Sequence, residues 1–347
     1  MKSPSLVSKS SSSSTHNLTS ALLRRGVMRQ LAQLKNGHLT VVEKGERRTF
    51  GEHGAGLVAE VHIHDASVWG MIASNGSIGA GEAFIHGYWS SPDLTKVIRV
   101  LVSNMEVLDA MEGGLARLSR PFIRGLHWIN RNTRKGSQKN IAAHYDLGNE
   151  MFEQFLDPTM MYSAAQFLTP DDTLEQAQLN KLARICQKLG LTADDHLLEI
   201  GTGWGSMALF AAQQYGCKVT TTTLSKEQYD YTLARIHALG LQDQVTLLLE
   251  DYRDLTGQYD KLVSIEMIEA VGHRFLPSYF KQCSHLLKPH GLMLLQAITI
   301  REQRYEQAKR SVDFIQRYIF PGGALPSVQK MLEIVGQDTD MNLMHME

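Results

Sequence analysis

The stretch His196-Leu197-Leu198-Glu199-Ile200-Gly201-Thr202-Gly203-Trp204-Gly205 decides how the chain is read. A short run built on Leu197, Leu198 and Ile200 has the character of a buried strand. Glycines at alternate positions follow, and Met207, Leu209, Phe210 and Ala211 then mark the apolar side of a helix. Glycine lets the backbone turn tightly and approach a ligand closely. The first N–H groups of the following helix have no partner within the helix and suit an anionic or polar ligand. A tight turn with no ligand is the plain structural alternative, so the surrounding residues must decide.

A dinucleotide can be tested first. The spacing GxGxxG would put a third glycine at position 206, which is Ser206. The acid that would hold a ribose after the second strand is also missing, because that strand runs into Thr221-Thr222-Thr223-Leu224-Ser225. Both observations argue against NAD.

Outward from the turn, strand-like runs at 196–200, 217–223, 245–249, 260–265 and 292–298 alternate with helix-like segments, among them 148–156 and 173–189. Strands separated by helices imply parallel βαβ crossovers and a doubly wound α/β sheet. The N-terminal part differs. Leu39-Thr40-Val41-Val42 and Ala59 to His64 read as short strands, Gly76 to Gly81 is glycine-rich, and 93–118 reads as helix. The expected organisation is a disordered tail over 1–20, a smaller α+β domain over 21–118, a basic linker over 119–139 and the α/β domain over 140–347.

Composition bounds the function. The 347 residues carry a formal net charge of -1, so bulk charge does not point to nucleic acid. Cys186, Cys217 and Cys283 form no close pair and read as buried free thiols in a reducing compartment. No run approaches the roughly 18 apolar residues of a spanning helix. His62 and His64 read as strand alternation, so no metal is expected. Tyr88 and Trp89 read as core of the first domain.

Several motifs in one order then resemble a known family. They are Ala143 to Phe152 (AHYDLGNEMF), Leu156-Asp157-Pro158, Met161-Tyr162-Ser163, Thr223 to Gln228 (TLSKEQ), Glu266 to Gly272 (EMIEAVG) and Tyr318 to Gly323 (YIFPGG). They resemble the cyclopropane-fatty-acyl-phospholipid and mycolic acid cyclopropane synthases over roughly residues 30–347. The resemblance implies a Rossmann-like methyltransferase using S-adenosylmethionine (SAM). Tyr162 and Ser163 would close over SAM. Glu199, Gly201, Gly203 and Gly205 would serve its methionine part, Thr223, Leu224 and Gln228 its ribose side, and Asp251 and Tyr252 its adenine. Glu269 would stand at the catalytic centre, with Ala164, Gln296 and Ile298 around a bicarbonate ion that acts as base.

The implied substrate is a cis double bond in a phospholipid acyl chain. The implied partners are membrane phospholipids met from the cytoplasmic side by peripheral contact, and a second copy of the chain, without nucleic acid. The basic residues Arg120, Arg124, Arg131, Arg134, Lys135 and Lys139 suit an anionic surface. Three departures stand out. Ala164 replaces the usual Cys, Gln296 replaces a frequent His, and the family's late tyrosine and lipid-pocket elements would lie past Glu347. Two other readings share these residues: methylation of a small soluble acceptor, and binding of SAM or membrane without turnover. Of the paired acids, Glu266 and Glu269 are expected on one helix face, with Glu269 the functional one.

Overall fold

The computed structural model describes residues 12–51, 56–113, 133, 136 and 148–347. The basic residues from Arg120 to Lys139 and the motif residues Ala143 to Leu147 lie outside the described residues. The chain divides into two compact units, Met1–Gly125 and Leu126–Glu347.

The first unit opens with α1 (Ser12–Leu31), so the stretch expected as a tail is helical from Ser12. β1 (His38–Glu43) and β2 (Glu46–Gly51) form a hairpin, turned by Lys44 at φ 50° and Gly45 at φ 84°. Two successive positive φ values suit the right-handed twist of the two strands. β3 (Val58–Ile63) pairs parallel with β1 and antiparallel with β4 (Trp89–Ser90). Between them, α2 (Ser67–Ile85) runs through the glycine-rich stretch and breaks its helical backbone at Gly76. α3 (Leu94–Val102) and α4 (Met105–Gly113) follow. Leu39, Val41 and Val61 of the sheet bury against Val27, Trp69, Ala83, Val97 and Val100. Asn104 ties this unit together. Its Oδ1 accepts from the N–H of Lys35 (2.8 Å) and Asn36 (3.0 Å), and its amide donates to the carbonyls of Asn36 (2.9 Å) and Val100 (2.8 Å).

In the second unit, α5 (Asn149–Glu153) and α6 (Leu174–Leu189) lead into β5 (His196–Ile200). α7 (Ser206–Tyr215), β6 (Lys218–Thr222), α8 (Lys226–Ala238) and β7 (Val245–Leu248) come next. β8 (Tyr259–Ile265), α9 (Leu276–Leu286) and β9 (Leu287–Gln296) complete the sheet. α10 (Glu302–Ala308), α11 (Phe314–Tyr318) and α12 (Val328–Asp338) close the chain. The strand order is β7-β6-β5-β8-β9, every pair parallel.

Alternation along β5 explains the layers. Leu197 packs with Leu182, Ile185 and Met207, while Leu198 and Ile200 pack with Tyr279, Phe280 and Ile334. The sheet is therefore covered on both faces, as a parallel sheet requires. The chain leaves β5 first toward β6 and β7, and only later builds β8 and β9 on the other side. The crevice at that reversal, outside the carboxyl ends of β5 and β8, is where this topology places a ligand.

Candidate active site

The glycine turn sits at that crevice. Gly201, Gly203 and Gly205 have φ of 101°, 55° and 88°. A Cβ on Gly205 would come within 2.7 Å of Thr232 Cγ2, whereas one on Gly203 would meet nothing within 4 Å. Gly205 is thus a packing glycine, and Gly203 borders open space where a ligand has room. The N–H groups of Gly201 and Thr202 donate to the Thr222 carbonyl (3.1 and 2.9 Å), tying the turn to β6. Trp204 Nε1 donates to Asn149 (2.7 Å), and Arg235 donates to the Trp204 carbonyl (2.9 Å). Gly205 caps α7 without a side chain, so no side-chain oxygen covers the helix start there.

Glu199 does not reach open space. It is 2% exposed and accepts from the Thr221 hydroxyl (2.6 Å). Burial pushes its carboxyl up to about 8. It holds β5 to β6, directly opposite Thr221 in register.

At the end of β6, the Thr223 hydroxyl donates to Gln228 Oε1 (2.8 Å), and Ser225 caps α8. Gln228 is buried, and its Nε2 has no partner among the described residues. A buried amide left unbonded is costly. It is the group that a ligand hydroxyl would satisfy, so the residues here fit the expected ribose side. The adenine pair is arranged otherwise. Both Asp251 oxygens are engaged by Arg253, through its backbone N–H (3.0 Å) and its guanidinium. Tyr252 is buried edge-on against Tyr279 (5.4 Å).

The third cluster gathers around the carboxyl end of β8. Glu266 and Glu269 do not share a helix face. Glu266 stands in a turn at φ 47°, and Glu269 lies in the short 3₁₀ segment Ile268–Ala270. A non-glycine residue in the left-handed region costs on the order of 1 kcal/mol. Glu266 Oε1 accepts from the Ala164 N–H (2.9 Å) and from Gln296 Nε2 (2.8 Å). Glu269 Oε1 accepts from the Ile298 N–H, and its Oε2 is buried without a partner among the described residues. Burial, with the Glu266 charge adding to it, pushes Glu269 up to about 7.

This arrangement changes one expectation. The N–H groups of Ala164 and Ile298 and the Gln296 amide are already taken by Glu266 and Glu269. A bicarbonate ion does not fit these donors as they stand, because carboxylates of the chain fill its seat.

Tyr162 packs edge-on against Phe152 (5.4 Å) and Trp204 (6.4 Å), and burial together with the Glu266 charge raises its phenol. Ser163 accepts from Lys181 Nζ (2.5 Å), and its carbonyl accepts from Gln178 (2.9 Å). Lys181 is 5% exposed, and burial lowers its ammonium to about 8. Met267, between the two acids, would press against a Cβ on Gly201 at 3.0 Å. The acid turn and the glycine turn are therefore in contact. The Glu269 carbonyl in turn accepts from Ala324 (2.8 Å), just after the Pro321-Gly322-Gly323 stretch.

Tyr162, Ser163, Ala164, Glu266, Glu269, Gln296 and Ile298 are thus brought together beside Gly201. Glu199 and Tyr252 are buried, and Asp251 is half-buried with both oxygens held by Arg253. Reading the sequence missed Gln178, Lys181 and Arg235 and set Glu266 aside. Gln178 and Lys181 had a signal: they fall in phase with Leu182, Ile185 and Leu189 on the buried side of α6.

A parallel sheet reversed at β5, a glycine turn into α7 and a donor-lined end of β6 together define the Rossmann-like fold of SAM methyltransferases. Comparison with known proteins agrees. The family described as mycolic acid cyclopropane synthetase matches residues 132–347, and the chain belongs to that family. It is 40% identical over 290 residues to the tuberculostearic acid methyltransferase of Mycobacterium tuberculosis, covering 78% of this chain and 65% of that protein. It is 35% identical over 282 residues to the cyclopropane-fatty-acyl-phospholipid synthase of Escherichia coli strain K12, covering 79% of this chain and 69% of that protein. Among solved structures, the cyclopropane synthase MmaA2 of M. tuberculosis superposes with a TM-score of 0.55 at 31% identity, over 60% of this chain and 76% of that one.

Proposed function

We propose that the chain is a SAM-dependent lipid methyltransferase acting on the cis double bond of an unsaturated phospholipid acyl chain. The observation that carries the reading is the pair Glu266 and Glu269 at the end of β8, joined through Met267 to the glycine turn. An isolated alkene carries no charge, but a carbocation forms when it takes a methyl group. A fixed carboxylate beside that carbon stabilises the cation, and a base is needed to remove a proton.

SAM, when bound, supplies an electrophilic sulfonium methyl. Gly203 would leave it room, Gln228 would meet its ribose and the uncapped start of α7 would meet its polar end. Tyr162, backed by the buried Trp204, would help keep water from the cation. The Glu269 oxygen without a partner would be left to meet the charge that develops, while the other oxygen holds the Ile298 N–H.

A lipid substrate is further supported by exposed apolar side chains near Glu269. Ile315, Tyr318, Ile319, Phe320 and Leu325 are all more than a third exposed. Gln316 of the same segment bonds the Gly323 carbonyl (2.9 Å), next to the Ala324 contact with Glu269. Peripheral contact with a membrane surface fits this patch. No helix among the described residues is long and apolar enough to cross a membrane.

The test is release of S-adenosylhomocysteine in the presence of liposomes. The expected result is release only with unsaturated phospholipid, and a lipid mass gain of one CH₂. Release without lipid, onto a soluble acceptor, would overturn the substrate; SAM binding with no release onto any acceptor would overturn the activity.

A further inference from the structure

We infer that Glu266 is the built-in base of the reaction, seated on two of the donors, the Ala164 N–H and the Gln296 amide, that would otherwise hold a bicarbonate ion. The inference rests on the lipid methyl-transfer reading above. Four observations support it. First, Glu266 Oε1 accepts from the Ala164 N–H (2.9 Å) and Gln296 Nε2 (2.8 Å), groups 102 and 30 residues away in the chain. Secondly, its backbone holds φ 47°, a conformation that glycine would adopt freely. A side chain kept there at a cost has something to hold. Thirdly, Gln296 can donate to an oxyanion but cannot carry a proton, so it orients a carboxylate and is not itself a base. Its amide also reaches the Ala164 carbonyl (3.2 Å), which fixes the direction of its NH₂ group. Fourthly, Tyr162 and Glu269 both feel the Glu266 charge, and so does Lys181, whose ammonium faces the same cluster.

The step balances without any added reagent. The alkene π pair forms a bond to the sulfonium methyl, and the C–S pair stays on sulfur. One former alkene carbon becomes cationic. A Glu266 oxygen takes a proton from the added methyl group, and the C–H pair closes onto the cation to make the three-membered ring. The proton leaves from Glu266 to solvent after product release.

Two substitutions test this. Glu266→Gln keeps shape and removes the base. Glu266→Gly suits the local φ and empties the seat. Turnover is measured in buffer stripped of carbon dioxide and again with added bicarbonate, alongside SAM affinity. Binding of ¹³C-labelled bicarbonate is followed by NMR. We expect the unsubstituted chain to turn over equally in both buffers and to bind no bicarbonate. Glu266→Gln should lose at least about 100-fold in kcat with SAM affinity within about twofold. Glu266→Gly should bind bicarbonate and recover part of its rate when bicarbonate is added. A rate in the unsubstituted chain that falls on stripping, saturable bicarbonate binding to that chain, or an undiminished Glu266→Gln rate would each overturn the inference. If no lipid is methylated at all, the substrate reading has failed, and the binding arm still decides what fills the seat.

Discussion

Glu269 and Gly205 show how single residues divide the labour. Glu269 is held by the Ile298 N–H through one oxygen and leaves the other buried and unbonded. Glu269→Gln keeps the acceptor for Ile298 and removes the charge. Its kcat is expected to fall at least about 100-fold with SAM affinity nearly intact, measured by calorimetry, and an unchanged rate would refute the role. Because burial raises this carboxyl to about 7, its ionised fraction grows as pH rises through that value. Gly205→Ala meets both a positive φ and Thr232 at 2.7 Å, whereas Gly203→Ala meets only the φ. The first is expected to cost about 2 kcal/mol, seen as a lower Tm. The second should leave Tm closer to the parent and weaken SAM binding instead.

At the scale of elements, the pairing of β5 with β6 carries a pH signature. Glu199 is buried and raised to about 8 by that burial. Its folded form keeps a proton that the unfolded chain gives up near its usual 4.5. Stability is therefore greatest below that value and declines as pH rises toward and through 8. Glu199→Gln, which cannot ionise, is expected to flatten the fall in Tm between pH 5 and pH 8. An equal fall in both proteins would show that the charge is solvated.

The same strands explain what was legible in advance. Apolar strands and their spacing placed β5 to β8 closely, because burial on both faces leaves continuous runs such as Leu197-Leu198, whereas β9 begins at Leu287, ahead of the expected 292. The helix α2 was not assigned, since the stretch from Gly76 to Gly81 was read only as glycine-rich, and Gly76 proves to be a buried kink within a helix. The glycine turn itself was legible from local spacing. The Glu266 partnership with Ala164 was not, because nothing local in the sequence marks a contact made 102 residues away.

For the whole molecule, two units with separate cores imply two unfolding events. Calorimetry of Asn104→Ala, which strips four hydrogen bonds from the first unit, is expected to lower one transition by about 2 kcal/mol. SAM at a hundredfold its Kd should raise the other by about 2.7 kcal/mol. A single transition that moves under both changes would contradict this division.

The bond from Ala164 to Glu266 also has a consequence in time. The glycine turn can form as soon as β5, β6 and α7 meet, within a few tens of residues. The acid cluster must wait until β8 and β9 have joined the sheet and the loop back to Ala164 has closed. Contacts of long sequence separation are slow to form. Pulsed hydrogen exchange during refolding should therefore protect the amides of β5 early and that of Ala164 late, so the folding chain completes its glycine turn before it completes its acid cluster.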